Sequence, residues 1–501
     1  MMGMTSITQK VMSIVQPVKP EELEAKRKVF WDRVDSTIYN RKTGDKLMPF
    51  QREGVEWLGL HPRGILADDM GLGKTVQALA AIVGADAFPC LLITLATLRG
   101  TMANQIAEWT GMESYVMDTG NRGLSIRQQQ TVPRNFYVCH YEGVRAEWSE
   151  LKKIEWKSII VDEATSIKNR QAQRTKAVKS LKAPRIMLLS GTPLLNSPLD
   201  LWSLLNYLNP TKYSSYWAFQ KRYVIMGGWQ NKQVMGFRNV PELHMHVQAN
   251  MIRRRKDEVL KQLKPKTYSD VMLDLPKWQR VIYDKAREEL IVEITKNKTL
   301  TVASALAKLT RLKQIAVHPQ ATLGIESKQV PVKMQALEEL LDQRPGKKTL
   351  IFSKYATVAR EVALVCKKRK DTEIFLLTGA TKMSDRGPME QRFQALAPTQ
   401  EAVWISTIDA GGMGLTLTAA DTVVFMDKDW RPAINSQAED RAHRIGQKDN
   451  VLVVSLIAKD TIEAHIENVL DKKRDMFNSV VEKDGGVAIS RFSIDDIKDL
   501  L

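Results

Sequence analysis

The sequence predicts an α/β protein with two parallel sheets in tandem, each flanked by helices. Short apolar runs that end at turn residues or polar clusters recur in two sets, and segments of helical length separate them. Continuous apolar strands of this kind are typical of parallel sheets that helices cover on both faces. The 501 residues are enough for about two to four domains, so two sheet domains with helical additions account for the chain.

The apolar runs can be placed in order along the chain. Between the two sets the sequence is aromatic and basic with helical periodicity, which predicts helical insertions. The stretch 265–277 contains Pro265 and Pro276 and is predicted to join the two domains. The predicted strands are 64–67, 90–95, 136–141, 158–163 and 185–193 in the first set, and 349–355, 373–379, 402–407, 422–427 and 451–457 in the second.

These elements divide the chain into four predicted parts. An N-terminal extension covers residues 1–45, and a first lobe covers 46–262 with a helical insertion near 196–262. A second lobe covers 263–475 and begins with the helical segment 276–330. A C-terminal helical tail covers 476–501. The short ends leave little chain for added specificity modules.

Composition limits the function before any motif is considered. The chain has 74 Lys+Arg against 57 Asp+Glu, a net charge of +17. A basic surface favours a polyanion such as nucleic acid or an acidic membrane face, although excess lysine also promotes solubility. The three cysteines form no close pair, which argues against disulfides and cysteine zinc sites. No apolar run is long enough to span a membrane and no secretory signal is visible, so we expect an intracellular protein.

The segment DDMGLGKT, Asp68 to Thr75, follows the first predicted strand and precedes the helix former VQALAAIV. A glycine-bearing loop in this position lets backbone N–H groups surround phosphates at the positive end of a helix. Lys74 would then reach the β and γ phosphates, and the Thr75 hydroxyl would bind Mg²⁺. The strict pattern has glycine where Asp68 stands, so a glycine-rich turn with a chance Lys-Thr is the alternative.

The segment IIVDEAT places two carboxylates at the end of a buried apolar strand. Unpaired buried carboxylates are costly, which favours a chemical role. Asp162 would hold Mg²⁺, and Glu163 would orient and activate the attacking water. The structural alternative is that Asp162 caps the N-terminus of a helix.

The segment QAEDRAHRIGQ in the second lobe contains Arg441 and Arg444, which are three residues apart and would share one face of a helix. A guanidinium group that enters from another lobe suits the charge that develops on a γ-phosphate. A solvated basic helix whose arginines pair with Glu439 or Asp440 is the alternative.

Together these motifs closely resemble those of Swi/Snf-type ATPases of helicase superfamily two. The resemblance runs in order from about Leu47 to Val469 and implies two RecA-like P-loop domains in tandem. It leans weakly toward the branch of annealing helicases, in a minimal form that suits a phage, bacterial or archaeal source. The matching segments are LMPFQREGVEWL, DDMGLGKT, VDEATSIKN, LLSGTPLLNSPLDLWSLLNYLNP, IRRRKDEVL, LKQIAVHP, TLIFSKY, LTGATKMSDR and QAEDRAHRIGQ.

The resemblance also implies roles for individual residues. Gln51 matches the family's adenine-reading glutamine, and Ser190 and Thr192 would couple the nucleotide state to lobe movement. Gly414 and Gln437 would line the nucleotide cleft from the second lobe. The phosphate loop would contribute Asp69, Met70, Gly71, Gly73, Lys74 and Thr75.

Contacts with nucleic acid are expected along both lobes. Hydroxyls and amides near Thr97, Ser353 and Thr407 would meet the backbone. The basic run Arg253, Arg254 and Arg255 is a candidate phosphate-facing stripe, with a solvated helix face as its alternative. Trp430 either reaches a groove or packs within its lobe. Asp409 stands where the family often has arginine, and Thr165 where many relatives have histidine, which puts those two contacts in doubt.

The resemblance therefore implies an ATP- and Mg²⁺-dependent translocase on double-stranded DNA. Because no base-reading module is visible, binding should be independent of sequence, with forked DNA as a candidate substrate. We expect a monomer in the cytoplasm, associated with the nucleoid and not with a membrane. The alternatives are a strand-separating DNA or RNA helicase and a nucleotide-gated factor that acts on RNA polymerase.

Overall fold

The computed structural model describes residues 20–117, 134–191, 199–227, 233–296, 302–411 and 414–464. These residues form two parallel β-sheets with helices on both faces and one separate β-hairpin. The α/β fold with two tandem sheets that the sequence predicts is therefore confirmed. The predicted tail 476–501 and all residues before residue 20 lie outside the described residues.

The strands are short. They are β1 Arg63–Leu66, β2 Cys90–Thr94, β3 Ser114–Val116, β4 Phe136–His140, β5 Ser158–Val161, β6 Arg185–Leu189, β7 Val224–Gly227, β8 Gln233–Phe237, β9 Met251–Ile252, β10 Thr267–Leu273, β11 Lys348–Ser353, β12 Glu373–Leu377, β13 Ala402–Thr407, β14 Thr422–Phe425 and β15 Leu452–Ala458. Among the described residues β2, β5, β11, β13 and β14 are buried at every position.

Helices connect the strands and cover the sheets. They are α1 Pro20–Thr37, α2 Pro49–Leu60, α3 Lys74–Gly84, α4 Arg99–Thr110, α5 Tyr141–Ala146, α6 Trp148–Leu151, α7 Gln173–Ser180, α8 Leu199–Leu208, α9 Tyr216–Tyr223, α10 Val240–Gln248, α11 Lys256–Val259, α12 Lys277–Lys296, α13 Val302–Val317, α14 Pro319–Leu323, α15 Val332–Asp342, α16 Ala356–Cys366, α17 Met383–Ala395, α18 Ile408–Gly411 and α19 Pro432–Glu439.

The first sheet has the strand order β3-β4-β2-β5-β6-β1-β9, and all of its pairs are parallel. Side chains of β2 alternate between two apolar clusters: Leu91 and Ile93 pack on one face, and Cys90 and Leu92 on the other. Both faces are covered, which explains why the strand is apolar throughout. Parallel order also brings the carboxyl ends of β1, β2, β5 and β6 to one edge.

The second sheet has the order β10-β15-β14-β11-β13-β12 and is also parallel. Its edge strand β10 lies within the stretch that we expected to join the lobes. Within that stretch Thr267 to Leu273 form a strand and pair with Leu452 to Ala458 over seven positions. The position of the junction between the lobes stays a prediction. The alternating, largely exposed residues of β10 resemble a linker, because an edge strand needs little apolar surface.

The insertion predicted to be helical near 196–262 is only partly so. After α9 the chain forms the antiparallel hairpin of β7 and β8, and after α10 it enters the first sheet as β9. Val224 and Ile225 follow the last helical turn, and their β-branched side chains favour the extended strand observed there. No helix within the described ranges is both long and apolar enough to cross a lipid bilayer.

Candidate active site

The phosphate-type loop connects β1 to α3. Gly71 and Gly73 have φ angles of +83° and +74°, in the left-handed region that favours glycine, and α3 begins at Lys74 directly afterwards. A Cβ atom on Gly71 would lie 2.7 Å from the Cβ of Arg444, which belongs to the second lobe. The glycine at position 71 therefore lets the backbone of the loop approach the second lobe closely.

Lys74 points back into this loop. Its Nζ donates hydrogen bonds to the carbonyl oxygens of Asp68 at 2.8 Å and Asp69 at 3.2 Å. Burial lowers the pKa of Lys74, and the nearby carboxylates of Glu163, Asp68 and Asp162 oppose that shift. The ammonium group thus occupies the acidic end of the cleft, where its charge is available to a phosphate.

Asp162 and Glu163 follow β5 at the same edge. The Thr94 hydroxyl, at the end of β2, donates to Oδ2 of Asp162 at 2.9 Å. The Tyr141 hydroxyl, just after β4, donates to the carbonyl oxygens of Asp162 and Glu163. Glu163 has a φ of +49°, a conformation that costs energy outside glycine. The neighbouring strands therefore hold the acidic turn in place, and Glu163 does not continue the strand.

The two carboxylates titrate unlike surface acids. Burial raises the pKa of Asp162, although the Thr94 hydrogen bond and Lys74 oppose it. Burial and the charge of Asp162 raise the pKa of Glu163 to about 7, against the pull of Lys74 and Arg441. A carboxylate with a pKa close to neutrality is suited to accept a proton from water.

Arg441 and Arg444 lie beyond the end of α19, in turns and not in the helix that we predicted. The carbonyl oxygen of Arg441 accepts a hydrogen bond from the Leu417 N–H at 2.9 Å, which replaces a helical partner. Both guanidinium groups nevertheless meet at one atom, the carbonyl oxygen of Leu415, at 3.2 Å and 3.3 Å. Burial and Arg444 lower the pKa of Arg441 to about 10, while Glu163 acts in the opposite direction.

Gln51 is buried beside the loop. The Met48 N–H donates to its Oε1 at 2.9 Å, and its Nε2 donates to the Leu72 carbonyl at 3.2 Å. A Cβ on Gly73 would lie 2.5 Å from this Nε2, so the amide touches the loop directly. Contact with an adenine base stays a prediction for Gln51.

The remaining predicted cleft residues lie on both lobes. Ser190 is buried just after β6, and its N–H donates to the Leu66 carbonyl at 3.1 Å. A Cβ on Gly414 would lie 2.1 Å from Cδ2 of Leu98, so the two lobes touch there. Gln437 is half-buried in α19. Thr192, the second predicted coupling residue, lies outside the described residues.

The basic run contradicts the prediction for two of its three arginines. Arg254 is buried and donates through Nε and Nη2 to the two carboxylate oxygens of Asp68, at 3.0 Å and 2.5 Å. Arg253 donates to Oδ1 of Asp69 at 2.9 Å. Both guanidinium groups therefore brace the loop and do not face a DNA backbone. Arg255 alone is exposed, beside Asp257.

Two predicted backbone contacts in the second lobe also serve the fold. The Ser353 hydroxyl is buried and donates to Oδ1 of Asp427 at 2.6 Å. The Thr407 hydroxyl accepts from the Ala410 N–H at 3.3 Å and is equally buried. Trp430 packs against the apolar cluster that contains Tyr283, which agrees with packing within the lobe. Ser353 and Thr407 are therefore corrections to the predicted DNA contacts, whereas Trp430 follows the packing alternative.

Thr97 fits the prediction better, because it lines a cavity of about 570 Å³ that both lobes enclose. Its walls include Arg99 from the first lobe and Ser384, Arg386 and the acidic Glu390 from the second. A positively charged groove of this kind suits a nucleic-acid backbone.

Three residues of this region were not found from the sequence: Thr94, Tyr141 and Lys256. Thr94 and Tyr141 end or follow predicted parallel strands, whose carboxyl ends share an edge with Asp162, so the strand pattern did contain a signal for them. Lys256 lies in the basic run, and nothing in the run distinguishes it from its neighbours.

The donor set fits a nucleotide with Mg²⁺. Thr75 and Asp162 offer the oxygen ligands that Mg²⁺ prefers. Within the described ranges no group of three or more His, Cys, Asp and Glu residues could hold a metal by itself.

Comparison with known proteins identifies the family. The SNF2-related domain matches residues 50–321, more than half of the chain, and the helicase conserved C-terminal domain matches residues 332–446. The chain is 32% identical over 460 residues to the "Probable ATP-dependent DNA helicase CHR12" of Arabidopsis thaliana, covering 84% of this chain and 40% of that protein.

Two further proteins complete the comparison. The mouse SWI/SNF-related matrix-associated actin-dependent regulator of chromatin subfamily A member 1 is 32% identical, covering 88% of this chain and 44% of that protein. The chain thus spans less than half of the length of these two relatives. The Sulfolobus solfataricus SWI2/SNF2 ATPase core in complex with dsDNA is 29% identical, with a TM-score of 0.42 and coverage of 88% and 94%. The chain belongs to the SNF2-related family and also carries the helicase conserved C-terminal domain.

Proposed function

We propose that the chain hydrolyses ATP and uses the energy to move along double-stranded DNA without regard to sequence. The observation that carries the proposal is the junction of the two lobes. The loop that ends in Lys74, the acidic pair of β5 and the segment with Arg441 and Arg444 all converge there. Hydrolysis then depends on both lobes, which is what links chemistry to movement.

The first lobe would bind and position the nucleotide. Loop N–H groups and Lys74 would hold the β and γ phosphates, while Thr75 and Asp162 would hold Mg²⁺, which neutralises phosphate charge when it is bound. Glu163 would accept a proton from the water that attacks the γ-phosphorus. Thr94 and Tyr141 would keep that acidic turn at a fixed distance from the loop.

The second lobe would complete the reaction. Arg441 and Arg444 share the Leu415 carbonyl, a neutral partner that a phosphate can replace at small cost. When the lobes close on ATP, either guanidinium group could turn to the γ-phosphate and stabilise its charge in the transition state. The backbone of the phosphate loop is already beside Arg444, so the movement required is short.

The cavity between the lobes supports DNA as the track. Its basic side chains Arg99 and Arg386 come from different lobes, so a strand lying in it would touch both and respond to their closure. The name of the Arabidopsis relative, which includes DNA helicase, agrees with this substrate class. A double-stranded track with forked DNA as a variant is our proposal, as is function as a monomer.

The deciding experiment measures ATP hydrolysis with duplex, single-stranded and forked DNA and with RNA, in parallel. We expect duplex DNA to stimulate the rate most strongly, and Lys74→Ala to abolish hydrolysis on every substrate. Displacement of a third strand from a triplex by the wild type, without separation of a plain duplex, would identify translocation. Stimulation by RNA alone would overturn the DNA substrate, and release of single strands would favour a strand-separating helicase.

A further inference from the structure

An acidic pair directly precedes the two arginines and contacts two lysines. Glu439 ends α19 and Asp440 follows it. Lys256, from α11 beside the first sheet, lies with its Nζ 2.7 Å from Oδ1 of Asp440. Lys266, adjacent to β10 of the second sheet, lies 2.5 Å from Oε2 of Glu439 and 3.5 Å from Asp440.

Lys256 contacts the arginine segment through a hydrogen bond as well as through an ion pair. Its Nζ also donates to the carbonyl oxygen of His443 at 2.6 Å, which is the residue before Arg444. The side chain is buried, so solvent and salt screen the contact little. Lys256 therefore binds the arginine segment at Asp440 and at His443, which lie on either side of Arg441 in the sequence.

The backbone of Lys256 is tied to the phosphate loop. Its N–H donates to Oδ2 of Asp69 at 3.1 Å, and the other oxygen of that carboxylate accepts from Arg253 at 2.9 Å. The Asp69 N–H in turn donates to the Arg254 carbonyl at 3.0 Å. One residue thus connects the loop that would bind phosphate with the segment that carries both arginines.

An apolar contact runs beside this connection. Phe50, Leu72 and Leu260 form a small buried cluster in the first lobe, and Ile445, the residue after Arg444, packs against it. The contact places Ile445 next to the phosphate loop at Leu72. Two independent interactions, one ionic and one apolar, therefore fix the same short segment against the first lobe.

We propose that Lys256 is a positioning residue for ATP hydrolysis, which latches the arginine segment to the phosphate loop through Asp440 and the His443 carbonyl. The proposal rests on the proposed ATP hydrolysis. Lys256 does not touch the reacting atoms; it acts by fixing where Arg441 and Arg444 lie when the lobes close. Misplacing a catalytic group by about 1 Å can cost on the order of 100-fold in rate, so loss of the latch should appear in kcat.

The test compares Lys256→Met, Asp440→Asn, their double variant and Lys266→Met in the full chain. We expect Lys256→Met to lower kcat about tenfold or more, with the affinity for a fluorescent ATP analogue changed less than about threefold. Asp440→Asn should lower kcat similarly, and the double variant should lose far less than the product of the two single losses. Lys266→Met removes a cation from the same acidic pair on the second-lobe side, so it should retain most of the rate.

A second measurement separates the latch from simple loss of folding. Small-angle X-ray scattering with the ATP analogue should give a larger radius of gyration for Lys256→Met than for the wild type, while Lys266→Met matches the wild type. Equal rate losses for the two lysine variants, or a normal kcat in Lys256→Met, would overturn the proposal. A wild type that hydrolyses no ATP, but still binds the analogue and becomes more compact, would instead count against the proposed function. The latch would then be tested by the radii of gyration of the wild type and of Lys256→Met.

Discussion

At the carboxyl end of the first sheet two adjacent carboxylates, Asp162 and Glu163, share one buried site, whereas at the same end of the second sheet a buried carboxylate lies against its own cation. Glu163 has a pKa of about 7 beside Asp162. In the second sheet Lys333 pairs with Glu463 at 2.6 Å, fully buried. We therefore expect the charged groups of the first sheet to act on a substrate and the ion pairs of the second sheet to stabilise the lobe.

The largest effect should come from removing the base in the first lobe. Glu163→Gln keeps the shape of the side chain but cannot accept a proton, so we expect kcat to fall about 1,000-fold while ATP binding is retained. Steady-state hydrolysis measures kcat, and titration with a fluorescent ATP analogue measures binding. Glu155→Gln, an exposed glutamate paired with Lys157, is the matched control and should be normal. Near-normal turnover of the Glu163 variant would refute its role.

The second lobe should respond in stability and not in chemistry. Lys333→Met leaves Glu463 buried without its cation, which should cost about 3 kcal/mol. Hydrogen–deuterium exchange measures the free energy of opening of each strand. We expect this free energy to fall by about the same amount in β11, β14 and β15 and to stay unchanged in β1 and β5. Lys153→Met, whose own side chain is 59% exposed beside Glu150, should change little. An equal loss in both sheets would mean that the two regions do not differ in this way.

Acidification should separate the two regions again. The raised pKa of Glu163 means that its basic form is present above about pH 7 and is lost below it, so kcat should fall about tenfold from pH 8 to pH 6. In the second lobe burial acts to raise the pKa of Asp429, but hydrogen bonds from Arg431 and Lys354 outweigh it and hold that pKa well below its usual range. The ion pairs of Asp429 should therefore stay charged over the same interval, so their contribution to the free energy of unfolding should not change between pH 8 and pH 6. A flat rate profile would exclude Glu163 as the titrating base.

The smallest effect concerns Asp409, which stands where the family often has arginine. Its side chain is 58% exposed and lies 2.6 Å from Lys354 and 3.5 Å from Arg431. Asp409→Asn should free part of this positive charge and tighten DNA binding about threefold at low salt, with the gain lost as salt rises. Fluorescence anisotropy with labelled duplex measures the affinity. Asp274→Asn, at an exposed pair with Lys459, removes the same charge elsewhere and should have no effect.

The sequence predicts most of the fold because the buried strands are apolar throughout. All ten predicted strands are present, and Asp162 and Glu163 lie just past the end of β5, where the pattern put them. The edge strand β10 escaped prediction because its residues are largely exposed and their pattern is weak.

The misassigned arginines have a different cause. A basic run has the same sequence whether its charges meet phosphates or buried carboxylates. Arg254 finds its partner Asp68 at a separation of 186 residues, which only the fold reveals. The same holds for Lys256, because both partners of its ammonium group lie in the second lobe.

Gly414 has a consequence for the range of motion between the lobes. The absence of a side chain there lets the backbone of the second lobe reach Leu98 of the first, since an added Cβ would lie only 2.1 Å from Cδ2 of Leu98. Gly414 is thus one of the points at which the lobes touch, together with the contact of Gly71 with Arg444. A larger residue at 414 would require either the Leu98 side chain to move or the two lobes to separate at this point.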